Sequence, residues 1–267
     1  DYKQSYGTGA NMIGAVYIYS NGTYVAKLVP NELPYYGPYS SSEVEVVNIR
    51  FGHSVDIGED TIIVGACSIG SVTPKVYIFR FNGSSWSEEA KLVASNIQST
   101  YFGCSVALDR NTVVTGASSR SNSATAGSAC IFKFNGTQWS EEAMLGFVTD
   151  TSFGPSVSLS GDTVAVGAYG DSIDRGAVYL FKHNGLSWTE EAKLVASLRF
   201  SGDEYGFSVA LDGTRLAVGA PNHDGSSEDG GAVFFRPIPF IVAHLNHYQF
   251  LLLSLLESIN LNIVMFV

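Results

Sequence analysis

The chain has 267 residues, of which 45% are hydrophobic and 15% charged, with 28 glycines against 8 prolines. This composition is typical of an ordered globular protein with many tight turns and argues against a disordered chain. The formal charge of −10 gives a surface that repels phosphate backbones, so nucleic acid is not expected as a partner.

The start of the chain and its cysteines carry little information. The sequence begins at Asp1 without a methionine, a basic segment or an apolar leader, so we expect a fragment or a processed chain with no visible signal peptide. The three cysteines, Cys67, Cys104 and Cys130, lack the spacing of a metal site or a redox motif. Their odd number does not predict a disulfide framework.

One unit of about 50 residues recurs along the chain. Its first landmark is an aromatic residue followed by glycine, repeated at intervals of 51, 51 and 52 residues. A second landmark, Gly-Ala, ends a run of β-branched residues and keeps step with the first, which indicates a repeat protein. The first landmark stands at Phe51-Gly52, Phe102-Gly103, Phe153-Gly154 and Tyr205-Gly206, and the second at Gly65-Ala66, Gly116-Ala117, Gly167-Ala168 and Gly219-Ala220.

Two further apolar segments complete each unit. The third segment reads Gly-Ala-Val-Tyr or a close variant and begins near residues 14, 75, 127, 176 and 231. The fourth follows an Asn-Gly pair and reads Trp-Ser-Glu-Glu-Ala-Lys-Leu in its first copy. Short runs rich in Val, Ile, Tyr, Phe and Trp, bounded by Gly, Asn and Asp, predict four antiparallel strands in each unit.

The tryptophan segment admits two structures. Its serine followed by two glutamates is also the pattern of a capped helix start. A strand would place Trp86, Glu88, Ala90 and Leu92 on one face, and the Asn-Gly pair before it predicts a hairpin turn. We therefore predict strands at this segment and at its equivalents, which are 86–92, 139–145 and 188–194.

Four-stranded units at this period predict the blades of a β-propeller, with a solenoid as the alternative. The sequence holds three complete units, 51–95, 102–146 and 153–197, and two partial ones, about 10–30 and 205–236. The predicted fold class is therefore all-β, with about four to five blades present. The 17 predicted strands would just close a four-bladed ring, but we prefer an arc of a larger propeller.

The C-terminal segment leaves the repeat pattern. Residues 1–236 form the predicted propeller domain, and 237–267 form an apolar tail interrupted by polar residues and one charge. A membrane span needs about 20 mainly apolar residues, so three interpretations stay open: a membrane-spanning or surface-lying helix through 238–267, a packed terminal helix, and misread sequence. His244 and His247 have ligand-like spacing but no third ligand, so no zinc site is predicted.

The phased landmarks, with Pro221 after the last Val-Gly-Ala, resemble the FG-GAP repeat over about residues 10–236. The resemblance implies a propeller similar to that of integrin α subunits, and with it a membrane-linked or extracellular glycoprotein that serves in recognition or cell adhesion. Integrin-type repeats often carry a calcium loop before the Val-Gly-Ala strand. The equivalent turns here hold one or two acids each, so we predict no calcium site and no cofactor. These turns are 58–60, 109–111, 160–162 and 212–214.

The longer loops predict where a ligand binds. Antiparallel order sends the 1–2 and 3–4 turns to one end of each blade, and the variable 2–3 loops and inter-blade connections to the other, where binding is expected. The connection 29–50 carries Tyr35, Tyr36 and Tyr39, which either anchor a protein or glycan ligand or pack locally to hold the loop. Polar candidates from the same loops are Arg120, Asp171, Asp174, Asn222, His223, Asp224 and Asp229.

Three of the Asn-Gly turns are also N-glycosylation sequons. They stand at Asn21, Asn82 and Asn135. A fourth Asn-Gly turn, at Asn184, has leucine in the third position and is not a sequon. We therefore interpret the recurring Asn-Gly pair primarily as a type I′ turn, and glycosylation as incidental to it.

No group of residues has the pattern of a catalytic site. His53 occupies a slot filled by Cys104, Pro155 and Phe207 in other copies, which does not fit a catalytic base. The predicted function is non-catalytic recognition of a protein or glycan, at the cell surface or outside the cell. The alternatives are a structural spacer array and the accessory propeller of an enzyme whose catalytic domain lies elsewhere.

Overall fold

The computed structural model describes residues 3–6, 9–31, 49–67, 73–95, 101–118, 127–146, 152–198, 200–223 and 230–238. Apart from one short helical turn, the described residues form three four-stranded sheets, one three-stranded sheet and two hairpins. All sheets are antiparallel, with strands paired in chain order. The predicted all-β class and four-stranded propeller blades are confirmed, and the sheets form an open array.

The strands follow the repeat. A first hairpin comprises β1 (Lys3–Tyr6) and β2 (Gly9–Met12), and the leading half-blade comprises β3 (Val16–Ser20) and β4 (Thr23–Leu28). Blade 1 comprises β5 (Phe51–Ile57), β6 (Thr61–Ala66), β7 (Lys75–Phe81) and β8 (Trp86–Leu92), and blade 2 comprises β9 (Tyr101–Asp109), β10 (Thr112–Ser118), β11 (Ser128–Phe134) and β12 (Trp139–Leu145). Blade 3 comprises β13 (Phe153–Ser160), β14 (Thr163–Ala168), β15 (Ala177–His183) and β16 (Trp188–Leu194), with α1 (Asp171–Asp174) before β15. Blade 4 comprises β17 (Ser208–Asp212), β18 (Arg215–Ala220) and β19 (Ala232–Pro237).

The hydrophobic core lies between successive blades. In β6, Ile62 and Val64 pack toward the leading half-blade, whereas Ile63 packs toward blade 2 together with Ile78 of β7. Side chains alternate between the two faces of a strand, so each inner strand must be apolar on both faces. This double burial explains the continuous apolar runs that end in Gly-Ala.

The Phe-Gly and Gly-Ala landmarks meet where one blade contacts the next. The Ser105 hydroxyl of blade 2 donates a hydrogen bond to the Gly154 carbonyl oxygen of blade 3 at 2.9 Å. A Cβ atom on Gly116 would come well inside 3.0 Å of that same oxygen, so only glycine fits there. The landmark glycines are therefore explained by close contact between the backbones of two blades. The same hydrogen bond joins Ser54 to Gly103 and Ser156 to Gly206.

The tryptophan segments are strands, as predicted, but their faces differ from the prediction. A β-bulge at Glu89 interrupts the pairing of β8 with β7. It shifts the alternation of side chains, so Trp86 packs toward the leading half-blade and Leu92 toward blade 2. The prediction that these two residues share one face with Glu88 and Ala90 was therefore wrong. A bulge recurs in the pairing of β4, β12 and β16, which makes it a feature of the repeat.

The Asn-Gly turns are of two kinds. Asn21 and Gly22 both have positive φ, 49° and 76°, as a type I′ turn requires. At Asn82 the turn has four residues, and the side-chain Oδ1 atom accepts hydrogen bonds from the backbone N–H groups two and three residues ahead. Asn135 and Asn184 do the same. The type I′ interpretation thus holds for the first turn alone, and the other three need asparagine for its side-chain oxygen.

Within the described ranges, no helix has the length and hydrophobicity needed to cross a membrane. The tail from residue 239 onward lies outside those ranges, and so do the predictions made for it.

Candidate functional site

The structure describes four of the ten predicted ligand-binding residues. Asp171 and Asp174 lie in the loop between β14 and β15, and Asn222 and His223 begin the loop between β18 and β19. The other six lie outside the described residues, and their roles stay predictions. They are Tyr35, Tyr36, Tyr39, Arg120, Asp224 and Asp229.

The connection between blades 3 and 4 links these two loops. The backbone N–H groups of Gly202 and Glu204 donate to the Asp174 carbonyl oxygen at 3.1 and 2.9 Å. On the other side of the connection, His223 Nδ1 lies 3.1 Å from Asp203 Oδ2. Three separate loops therefore meet at one place. The name loop junction is used below for residues 171–174, 200–204 and 223.

Asp203 is the most deeply buried acid of the loop junction. Its Oδ2 atom faces His223 and accepts a hydrogen bond from the Phe200 backbone N–H at 2.8 Å. Its Oδ1 atom is buried and has no hydrogen-bond partner. A buried acceptor without a partner costs about 1–3 kcal/mol.

Asp171 has a structural role instead. The Tyr179 hydroxyl donates to its Oδ2 atom at 2.8 Å, the Ser172 hydroxyl donates to Oδ1, and Lys193 forms an ion pair with Oδ2. Burial alone would raise the pKa of Asp171, but these partners, Lys193 first among them, hold the pKa below its ordinary value. Because both carboxylate oxygens have partners within blade 3, Asp171 fixes the loop.

We predict that replacing Lys193 by methionine lowers the free energy of unfolding by about 1 kcal/mol at neutral pH, a figure reduced for solvent screening because Lys193 is 39% exposed. The depressed pKa of Asp171 stabilises the fold above the unfolded value of about 3.9, and this stabilisation is lost as the pH falls through the folded value. Urea unfolding at pH 7 and pH 3 should therefore show a difference between wild type and variant that shrinks in acid. Lys182→Met, on the neighbouring strand β15, is the control, and a pH-independent loss at Lys193 would contradict the prediction.

The short element α1 has an unusual backbone. Ser172, Ile173 and Asp174 have φ values of 58°, 64° and 56°, so three successive non-glycine residues adopt the left-handed conformation. This conformation is costly, most of all for the β-branched Ile173. The bonds to Asp171 and to the Asp174 carbonyl hold it, and it presents the Ile173 side chain to solvent, 77% exposed.

A second cluster lies between blades 1 and 2. The ligand atoms of His53, Cys67 and Cys104 lie within 4.8 Å of one another, but the two cysteines form a disulfide and offer no thiolate to a metal. The disulfide joins the residue after Gly-Ala in blade 1 to the residue after Phe-Gly in blade 2. Between blades 3 and 4 the same slot holds Tyr169 against Phe207, with 5.6 Å between ring centroids. The slot of His53 is therefore a contact position between blades.

The sequence did not single out Phe200, Asp203 or Glu204. None of them belongs to a landmark of the repeat, and the partner of Asp203 comes 20 residues later. One signal was available, because 17 positions separate Trp188 from Tyr205 whereas the two earlier copies have 16 and 14. The extra length forms part of the connection that joins the loops.

The comparisons with known proteins support the repeat. A family model described as the FG-GAP repeat matches residues 86–132, 148–181 and 188–235. A comparison with curated proteins found no match. Each of the three matched segments contains an aromatic-Gly landmark, a Gly-Ala landmark and most of the third strand of a blade, which are the parts that contact the neighbouring blade. The matched segments therefore identify FG-GAP repeats in this chain.

Proposed function

We propose that this protein is a non-catalytic recognition module that binds a protein or glycan ligand at the loop junction between blades 3 and 4. The observation that carries the proposal is the convergence of three loops at one end of the blades. Ile173 and the half-exposed Phe200 offer apolar surface there, and Asp174 offers an exposed carboxylate. Apolar contact area next to a few fixed polar groups is the usual composition of a recognition site.

The charges of the loop junction favour a ligand that donates hydrogen bonds or carries positive charge. Asp174, Asp203 and Glu204 lie close together, and burial, with Asp174 beside it, raises the pKa of Glu204. An arginine or lysine side chain, or a row of sugar hydroxyls, would supply donors to the accessible carboxylates of Asp174 and Glu204. The ring of Phe200 would pack against the apolar part of either ligand.

An extracellular location is part of the proposal. The disulfide between Cys67 and Cys104 supports it, because disulfides persist in oxidising compartments. The sequon residues Asn21, Asn82 and Asn135 are exposed in turns at the end of the blades opposite the loop junction. Glycans attached there would leave the junction free. Adhesion of the integrin kind, and membrane association through 238–267, remain proposals as well.

The test is binding of the full chain to glycan and protein arrays, followed by affinity measurements on each ligand found. We expect Phe200→Ala and Asp174→Asn to weaken binding by about ten-fold or more, which corresponds to about 1.4 kcal/mol. Leu186→Ala is the matched control, because Leu186 is an exposed apolar residue on the opposite end of the blades. Equal affinity in all variants would rule out the loop junction. Loss of binding in Tyr35→Ala or Tyr36→Ala instead would move the site to the connection 29–50, and an absence of any ligand would favour the structural spacer.

A further inference from the structure

The contact between blades 1 and 2 brings three metal-ligating side chains together. His53 and Cys104 occupy the same slot in successive blades, and Cys67 comes directly after β6. Their ligand atoms lie within 4.8 Å of one another, and no other group of three such side chains meets this condition in the part of the chain that the structure describes. The slot holds Pro155 and Phe207 in blades 3 and 4, so the cluster belongs to this junction and not to the repeat.

The strand pairing places these side chains. In β5 the register with β6 shifts between Phe51 and Ser54, so His53 lies in a bulge beside the end of β6. The pairing of β9 with β10 has the same irregularity at Cys104. A bulge redirects a side chain out of the alternation of its strand, and here both bulges bring their residue to Cys67. All three ligands therefore lie on or directly beside a paired strand.

The cluster is accessible from one side. Cys67 is fully buried, Cys104 is half-buried and His53 is exposed. A metal ion can therefore reach the two sulfur atoms past the imidazole, and three protein ligands leave a fourth position for water. Two cysteines, one histidine and an open fourth position are an established ligand set for zinc.

We propose that the reduced form of this chain binds one Zn²⁺ ion through His53, Cys67 and Cys104, so that a metal joins blades 1 and 2 in place of the disulfide. In the oxidised chain the two sulfur atoms are bonded to each other and cannot bind the ion. A dithiol reductant transfers two electrons and two protons to the cysteines and is itself oxidised to a disulfide. Zn²⁺ then displaces the two thiol protons, and the two thiolates balance its charge.

Both forms of the junction fit the same backbone. With Zn–S bonds of about 2.3 Å, two thiolates on a tetrahedral zinc stand about 3.8 Å apart. The Cα atoms of Cys67 and Cys104 are 4.8 Å apart, a separation from which side-chain rotation alone reaches that spacing. The hydrogen bond from the Ser54 hydroxyl to the Gly103 carbonyl oxygen can therefore persist when the disulfide opens.

The test uses Co²⁺, which takes the same nitrogen and sulfur ligands as zinc and reports them by its absorption. The full chain is reduced, separated from the reductant without oxygen, and titrated with Co²⁺. We expect one ion per chain, with the visible bands of tetrahedral cobalt and a near-ultraviolet charge-transfer band from thiolate to metal. Zn²⁺ should displace the cobalt and remove both signals, and the oxidised chain should show neither. A reduced wild type without these bands would overturn the proposal.

Variants identify the ligands. The Cys67→Ala, Cys104→Ala double variant should lose the charge-transfer band. His53→Ala should weaken Zn²⁺ binding by about ten-fold or more, because even an outer partner of a metal ligand contributes that much. Cys130→Ala is the matched control and should bind as wild type does, because Cys130 is a buried free cysteine outside the cluster. A band that persists in the double variant, or unchanged affinity in His53→Ala, would contradict the three-ligand site.

Thermal unfolding separates this site from metal binding to the unfolded chain. Zn²⁺ bound to the folded junction should raise the unfolding temperature of reduced wild type and leave that of the double variant unchanged. A lower unfolding temperature of reduced wild type on addition of Zn²⁺ would show that the ion prefers the unfolded chain, and would overturn the proposal. The cluster and the loop junction lie at different blade contacts, so neither result depends on the ligand proposed for the loop junction.

Discussion

Replacing Gly116 by alanine is expected to lower the free energy of unfolding by about 3 kcal/mol, whereas the same change at Gly219 is expected to cost less than about 1 kcal/mol. The added Cβ at Gly116 would meet the carbonyl oxygen of Gly154, which belongs to the backbone of the next blade and cannot rotate away. At Gly219 the nearest atom is the hydroxyl of Ser208, at the end of a side chain that can turn.

The two glycines form a matched pair. Both end the second strand of a blade and stand in the same position of the repeat, so strand propensity and the local backbone are the same for both. They differ in whether the described structure places another blade beyond them. Urea unfolding followed by tryptophan fluorescence measures both variants. Equal losses at the two positions would show that the cost arises within a blade and would contradict the role of the landmark glycines at blade junctions.

Opening the disulfide is expected to lower the free energy of unfolding by about as much as Gly116→Ala does. Cys67 and Cys104 are 37 residues apart, and a crosslink over a loop of that length contributes about 3–4 kcal/mol, largely by restricting the unfolded chain. The Cys67→Ala, Cys104→Ala double variant should unfold at a lower temperature than wild type. Adding a thiol reductant should lower the unfolding temperature of wild type to that of the variant. The unfolding temperature of the variant should not change.

Cys130 provides the control for this experiment. Burial raises the pKa of its thiol to about 12, so the thiol stays protonated and unreactive in the folded protein. A Cys130→Ala variant should therefore keep its full response to the reductant. A wild-type protein whose unfolding temperature is the same with and without reductant would show that the disulfide does not stabilise the fold.

The blades were predictable from the sequence because their contacts restrict the backbone. The Gly116 carbon approaches the Gly154 carbonyl so closely that no other residue fits, and this restriction is repeated at each junction as a visible landmark. The bulge at Glu89 was not predictable in the same way. It depends on how β8 pairs with β7, and the amino-acid sequence of either strand alone does not reveal the pairing.

The candidate site was predictable in part. Loop length and polarity pointed to Asp171 and His223, and both belong to the loop junction. Their roles depend on partners from other elements. Lys193 forms an ion pair with the carboxylate of Asp171, and the carboxylate of Asp203 contacts the ring nitrogen of His223. Such contacts join positions that are 20 or more residues apart and follow no repeat, so single-sequence reasoning had no pattern from which to derive them.

The slot shared by the disulfide and the Tyr169–Phe207 ring pair gives the array an order of mechanical strength. A covalent bond joins blades 1 and 2, whereas an aromatic contact occupies the same slot between blades 3 and 4. When the chain is pulled at its ends, we expect the junction between blades 3 and 4 to separate before the junction between blades 1 and 2. The loop junction spans that weaker boundary, so tension on the chain would pull apart the proposed binding site while blades 1 and 2 stay joined.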